Sequence, residues 1–247
     1  MRVETHFFID RVYTDRYNEN EYTGRYRKRK GMPMETKEKI LSCAEELFYL
    51  KGYDGTGVQE IAGQAGITKP TLYYYFGSKR GLLDQLLETK FNKLLRETHP
   101  EEAAGNTPTE KDILYGEGKA ERQKMCTSAE NIRDKLHRVS RSCYSFFDRE
   151  RRFYLLLMSL SASAPESEGY MAVKPYTDRL YQAAVHMFED SGDELGNMNG
   201  REEQFALSYI GVINQYLLWC ADRGGSREEE TEQLDRLVDQ YMYGIFS

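Results

Sequence analysis

Residues 52–76 constrain the fold more than any other part of the chain. They read Gly52-Tyr-Asp-Gly-Thr-Gly-Val-Gln-Glu-Ile-Ala-Gly-Gln-Ala-Gly-Ile-Thr-Lys-Pro-Thr-Leu-Tyr-Tyr-Tyr-Phe76. The spacing of Val58, Ile61, Ala62 and Ala65 predicts a short helix over about Val58 to Ala65. A second runs from Lys69 to Phe76. Gly66 sits where a tight turn requires positive φ. Ala62 is small enough to let the second helix approach closely. Ile67 precedes the N-cap Thr68 and is placed to staple onto Leu72. Pro70 falls in the first turn, where its missing N–H costs nothing.

The rest of the chain keeps the same period. From Glu35 onward apolar residues recur at three and four, and no strand-type alternation or hairpin turn pair stands out. The expected fold class is all-α with about nine helices. One helix spans about Thr36 to Lys51 on Ile40, Ala44, Leu47 and Phe48, and ends at Gly52. Another follows Gly77-Ser78 on Leu82, Leu83, Leu86, Leu87, Phe91, Leu94 and Leu95. A Gly/Glu/Lys-rich connector over 98–127 gives way to helices at about 128–149, 152–163, 167–190, 200–222 and 227–245. Residues 1–34 lack an apolar face and read as a disordered arm. Its basic run Arg25 to Lys30 is either a contact to DNA phosphates or a solvated tail, and Met32 and Met34 are alternative natural starts.

Two short helices joined this way leave the second one held by its apolar face, with the other face free to enter a major groove. Leu72 and Phe76 face inward, so Lys69, Thr71, Tyr73, Tyr74 and Tyr75 remain for solvent or DNA. Phenolic hydroxyls bond phosphate oxygens, and rings pack on sugars and thymine methyls. Three consecutive tyrosines on so short a helix cannot all be buried. The charge looks wrong for this at first. Lys and Arg total 34 against 40 Asp and Glu, a net of −6. The acidic excess lies after residue 97, and residues 35–97 are neutral overall. Between Thr56 and Arg80 the only acid is Glu60, while Lys69, Lys79 and Arg80 stand where phosphates would lie.

These residues resemble the DNA-binding domain of the TetR family of bacterial transcription regulators. The resemblance runs over residues 35–95. It rests on Ile40, Ala44, Leu47 and Phe48, then Gly52-Tyr53, Thr56, Ile61-Ala62, Ala65-Gly66, Thr68-Lys69, Leu72 to Phe76, and Ser78-Lys79. It implies DNA contacts from Thr56, Thr68, Lys69, Thr71, Tyr73, Tyr74, Tyr75 and Lys79. Tyr74 would enter the groove, while Tyr73, Tyr75 and Lys79 would hold phosphates. Two departures stand out. Gly57 replaces a second hydroxyl residue common in the family, leaving Thr56 to substitute for it. Tyr75 stands where relatives often have His.

The resemblance also implies that residues 96–247 form a helical ligand-binding and dimerisation domain. Phe146, Phe147, Phe153, Met158, Tyr176, Tyr209 and Tyr216 would line a pocket for a small apolar or aromatic compound. The same residues would equally make a plain core. Phe205, Ile213, Leu217, Leu234, Val238, Tyr241 and Met242 would meet a second copy, although an intramolecular core produces the same stripes. The implied function is a ligand-responsive repressor that binds a near-palindromic operator as a homodimer. The alternative is a non-regulatory DNA-binding protein acting by occupancy.

Other classes find little support. There is no P-loop, G-x-G-x-x-G, H-E-x-x-H or G-x-S-x-G motif, so an enzyme is not expected. His137 and His186 are lone, so neither a metal nor a cofactor is expected. The scattered Cys43, Cys126, Cys143 and Cys220 read as free thiols of a cytoplasmic protein. The uncharged run Gln204 to Ala221 contains Gln204, Ser208, Asn214 and Gln215. It is expected to be a helix buried on most sides rather than a membrane span.

Overall fold

The computed structural model describes residues 34–100, 131–192 and 200–244. Residues 1–33 of the expected arm, most of the connector, and Cys126 lie outside the described residues, while Met34, expected to end the arm, opens the first helix. Among the described residues the chain forms nine helices and no strand. In chain order these are α1 (Met34–Gly55), α2 (Val58–Ala65), α3 (Lys69–Phe76), α4 (Lys79–Thr98), α5 (Ile132–Arg149), α6 (Arg151–Ser161), α7 (Glu168–Glu189), α8 (Glu202–Ala221) and α9 (Arg227–Tyr243). From Lys37 onward they belong to one compact unit.

Local chemistry sets the helix ends. Thr68, Ser78, Asn131, Ser167 and Ser226 each accept a hydrogen bond from a first-turn backbone N–H. Ser226 and Glu229 complete a reciprocal capping box. Gly52 adopts φ +75°, which interrupts α1 one turn before its last residue. The helix expected to stop at Lys51 therefore continues as a single turn beyond the kink.

Packing is continuous from end to end. α4 packs on α5 and α7, α7 also on α6 and α8, and α9 on α5 and α8. One apolar cluster runs from Ile40 through Phe91, Phe153 and Leu217 to Val238. No described helix is long and apolar enough to cross a membrane. α8 differs from its expectation of burial on most sides. It buries Ala206, Tyr209, Ile213, Tyr216, Leu217 and Cys220, yet exposes Leu207, Gly211, Gln215 and Trp219. A run of uncharged residues thus describes one buried stripe and one open face.

A cluster of charges ties the first helices to the later ones. Glu150 sits at the corner between α5 and α6 and accepts hydrogen bonds from Lys90 Nζ at 2.5 Å and Lys93 Nζ at 2.7 Å. Lys90 also reaches Glu45 of α1 at 3.1 Å. Burial alone would raise the Glu150 carboxyl, but the bonds from Lys90 and Lys93 outweigh it and hold its pKa below the ordinary value. A carboxylate depressed in the folded state stabilises fully above its unfolded pKa. That stabilisation is lost as pH falls through the folded value. Urea denaturation at about pH 7 and about pH 3 should therefore show a smaller acid loss of stability in Glu150→Gln than in the unaltered chain. Equal losses in the two proteins would contradict this role.

Candidate nucleic-acid interface

α3 has eight residues and holds its place through Leu72 (0% exposed) and Phe76 (2%). Ala62 of α2 is fully buried beneath it, and Gly66 takes φ +70° in the turn between them. Thr68 Oγ1 accepts from Thr71 N at 3.3 Å and lies 2.8 Å from Thr71 Oγ1, so both hydroxyls sit together at the start of α3. Outward from the same helix stand Lys69, Tyr73 (41% exposed) and Tyr74 (56%).

The remaining expected contacts are placed differently. Tyr75 is half-buried against the core, edge-on to Tyr74 at 5.8 Å. Thr56 is buried, and its hydroxyl donates to Gly52 O at 2.8 Å and Leu47 O at 3.1 Å. The kink at Gly52 is the reason. Thr56 N–H bonds Tyr53 O, and the Gly52 carbonyl takes the side chain instead. The hydroxyl–phosphate contact expected of Thr56 is corrected accordingly: its single proton is already spent inside the protein. Gly57, the N-cap of α2, supplies no side-chain bond in its place.

The cations rest on rings. Lys69 Nζ lies 5.6 Å from the Tyr73 centroid, and Lys79 Nζ lies 4.2 Å from the Tyr53 centroid. Burial pushes the Lys79 ammonium below the ordinary lysine value, against the opposing pull of Asp54 and Glu168. The first turns of α3 and α4 contain no acid. Glu60, the one acid of the segment, is paired with Lys51. The N-terminus of α4, capped by Ser78, adds its helix dipole beside Lys79. This exposed surface is cationic and aromatic, and suits a polyanion.

Residues 40–86 match the family described as bacterial regulatory proteins, tetR family. The negative transcriptional regulator IcaR of the biofilm operon in Staphylococcus aureus is 43% identical over 58 residues, which are 24% of this chain and 31% of IcaR. The transcriptional regulator QacR of Staphylococcus aureus is 36% identical over 84 residues, 34% of this chain and 45% of QacR. The chain thus spans a third to a half of the length of these relatives. FadR of Bacillus subtilis, solved in complex with stearoyl-CoA, shares the fold at a TM-score of 0.63 and 15% identity, over 84% of this chain and 98% of FadR. Over residues 40–86 the chain is thus similar to the TetR family, and the fold it shares with FadR extends over most of its length.

The resemblance implied a pocket and a partner surface after residue 95. The aromatic candidates are mostly packed on one another. Phe146 meets Phe153 edge-on at 6.2 Å, Tyr209 meets Phe188 at 6.2 Å, and Tyr216 stacks on Trp219 at 5.7 Å. Phe147 is buried, and Tyr209 donates its hydroxyl to Leu136 O at 2.6 Å. Met158 and Tyr176 are only half-buried, and Tyr176 lies edge-on to Phe91 of α4 at 5.1 Å. Among the partner-surface candidates, Ile213, Leu217, Leu234 and Val238 are buried within the single chain. Phe205, Tyr241 and Met242 are half-buried against the same core. Ile213, Leu217, Leu234 and Val238 are corrected to intramolecular core, because α8 and α9 pack on each other and on α5, whereas Phe205, Tyr241 and Met242 keep part of their surface open.

The sequence missed a polar groove of about 700 Å³ between α5 and α9. There His137 Nδ1 lies 3.2 Å from Asp235 and its Nε2 3.0 Å from Asp239, flanked by the pairs Arg141–Asp235 and Arg133–Asp239. The partners are about a hundred residues apart in sequence, so no spacing rule could have joined them. Among the described residues no group of three or more His, Cys, Asp or Glu could hold a metal ion. The thiols of Cys43 and Cys143 are pushed up by burial, the latter to about 12, which makes them poor nucleophiles. For the aromatic cluster, Phe153→Ala should cost about 3–5 kcal/mol of unfolding free energy, the range for a ring removed from a packed core. A loss well under that, measured by urea denaturation, would mean that Phe153 borders an open cavity.

Proposed function

We propose that the chain is a sequence-specific DNA-binding transcription regulator that acts as a homodimer on a near-palindromic operator. One observation carries this reading. α3 is anchored by Leu72 and Phe76 and turns Lys69, Tyr73 and Tyr74 outward. Thr68, Thr71 and Lys79 border that face, and Tyr75 supports it from the half-buried side. In this reading the helices up to Leu95 form the DNA-binding part and the later helices the sensing and pairing part. Repression follows the precedent of IcaR, whose name describes a negative regulator. The reading assigns no catalytic role and sets the protein in the cytoplasm with its DNA.

Pairing is supported by the open face of α8, where Leu207 is 65% exposed and Trp219 37%. Gly211 and Gln215 lie between them on the same face. A second copy laid on this face would cover an apolar surface otherwise left in water, and would set two α3 helices for adjacent major grooves. The regulating ligand is proposed to be a small apolar or aromatic compound. FadR, of like fold, is solved with stearoyl-CoA, of which the acyl chain, and not the charged CoA part, is apolar. Tyr176 and Met158 are the least buried of the aromatic and Met candidates, and Tyr176 touches α4, which begins at Lys79. A ligand that prefers one of two placements of α4 would bias DNA binding by that preference and by no more.

Unbiased selection of bound duplexes tests the DNA reading. It should return a two-fold symmetric motif. Lys79→Ala should then weaken binding to every sequence and reduce the salt slope by about one charge. Tyr74→Ala should instead relax preference at one base position. Dispersed binding without a motif would favour an occupancy role, and no binding would sink the reading altogether. Leu207→Glu places a charge in the proposed seam and should halve the mass measured by light scattering. An unchanged mass would remove α8 as the pairing face.

A further inference from the structure

One contact joins the later helices to the DNA-facing ones through a specific pair of side chains. The Tyr53 phenol donates to Glu168 Oε2 at 2.7 Å, between residues 115 apart in sequence. Tyr53 lies just past the Gly52 kink, is 4% exposed, and packs on Phe48 at 5.2 Å between ring centroids. Glu168 is the first residue of α7. Its backbone carbonyl also accepts from Arg80 Nη1 of α4 at 3.2 Å. Gly169 lets α7 pack close to Leu160, where a Cβ would lie 2.8 Å from Cδ2, and leaves ordinary contact distance to Tyr53. Lys79 Nζ sits 4.2 Å from the centroid of the same Tyr53 ring.

We propose that Glu168 is a positioning residue for DNA binding: through the Tyr53 phenol it fixes the ring on which the Lys79 ammonium rests, and so the point from which Lys79 meets a phosphate. The proposal rests on the DNA reading above and names a residue of α7 through which the later helices reach the DNA-facing surface. A phenol that shares its proton with a carboxylate is richer in electrons, and its face holds a cation more firmly. An ammonium on a ring face keeps N–H donors free on its far side for a phosphate oxygen. Without the carboxylate, the phenol of an almost buried tyrosine loses its acceptor, and the ring must shift toward another. Lys79 then loses a fixed platform while keeping its charge.

The test is a double-mutant cycle on a duplex recovered by the selection, with affinity measured across a salt series. Glu168→Ala and Tyr53→Phe should each weaken binding about three- to tenfold and flatten the salt slope by up to one charge. In the Lys79→Ala background neither should cost anything further, because the positioned group is gone. Glu168→Gln keeps an oxygen that accepts from the phenol and should recover most of the affinity. Equal losses with and without Lys79 would overturn the proposal in favour of a purely structural contact. So would single variants that bind like the unaltered chain, or a silent Lys79→Ala, and in both cases the DNA reading would stand. Failure of the unaltered protein to bind any duplex would instead defeat that reading itself. Glu168 lies on the surface, so its variants should fold, and melting temperatures verify that for all of them.

Discussion

An eight-residue helix has almost no stability of its own in water, because its nucleation cost is not recovered over two turns. α3 exists because Leu72 and Phe76 are buried, and because Gly66 and Thr68 fix the chain entering it. Everything proposed for this protein depends on that arrangement. A helix held only from behind leaves its whole front available. The residues on that front are set by the rotation that burying Leu72 and Phe76 imposes. Tyr73 and Tyr74 face out for the same reason that Tyr75 is half-drawn into the core.

The support behind α3 does not stop at the first few helices. α4 follows directly and packs on both α5 and α7. Lys90 on α4 is held between Glu45 of α1 and Glu150 at the α5–α6 corner. α7 therefore reaches α4 by two physical routes, one past the middle of α4 and one at its start. One is the packing of Tyr176 on Phe91, and the other is the Glu168–Tyr53–Lys79 clasp. The first is an apolar contact between two rings. The second depends on a directional hydrogen bond and on the face of one ring, so small movements are enough to break it.

Local features of the chain were legible and distant ones were not. The turn at Gly66, the cap at Thr68 and the inward pair Leu72 and Phe76 follow from spacing within a single helical turn or two. The boundaries of α2 and α3 fall where their apolar residues end. Thr56 was misread because its hydroxyl answers a carbonyl that only the Gly52 kink frees, and that kink is a three-dimensional fact. The stripes on α8 and α9 show that a face is buried and do not name what buries it. Here one chain covers Ile213, Leu217, Leu234 and Val238 by itself, and the face left open carries Leu207 and Trp219. His137 looked solitary because Asp235 and Asp239 come from a helix about a hundred residues later.

The charge pattern illustrates the same distinction and bears on the mechanism. Residues 35–97 are neutral in sum, which by itself predicts no pull on DNA. The structure distributes that neutrality unevenly. Lys51 pairs with Glu60, Arg80 with Asp84, and Lys90 with Glu45 and Glu150. Lys69 and Lys79 rest on tyrosine rings instead. A lysine drawn from a salt bridge to a phosphate exchanges one anion for another and gains little. A lysine resting on a ring keeps that contact and gains the phosphate as well. Such a surface needs no net positive charge to bind a polyanion. It needs its acids engaged elsewhere and its cations set on faces that a phosphate does not have to displace.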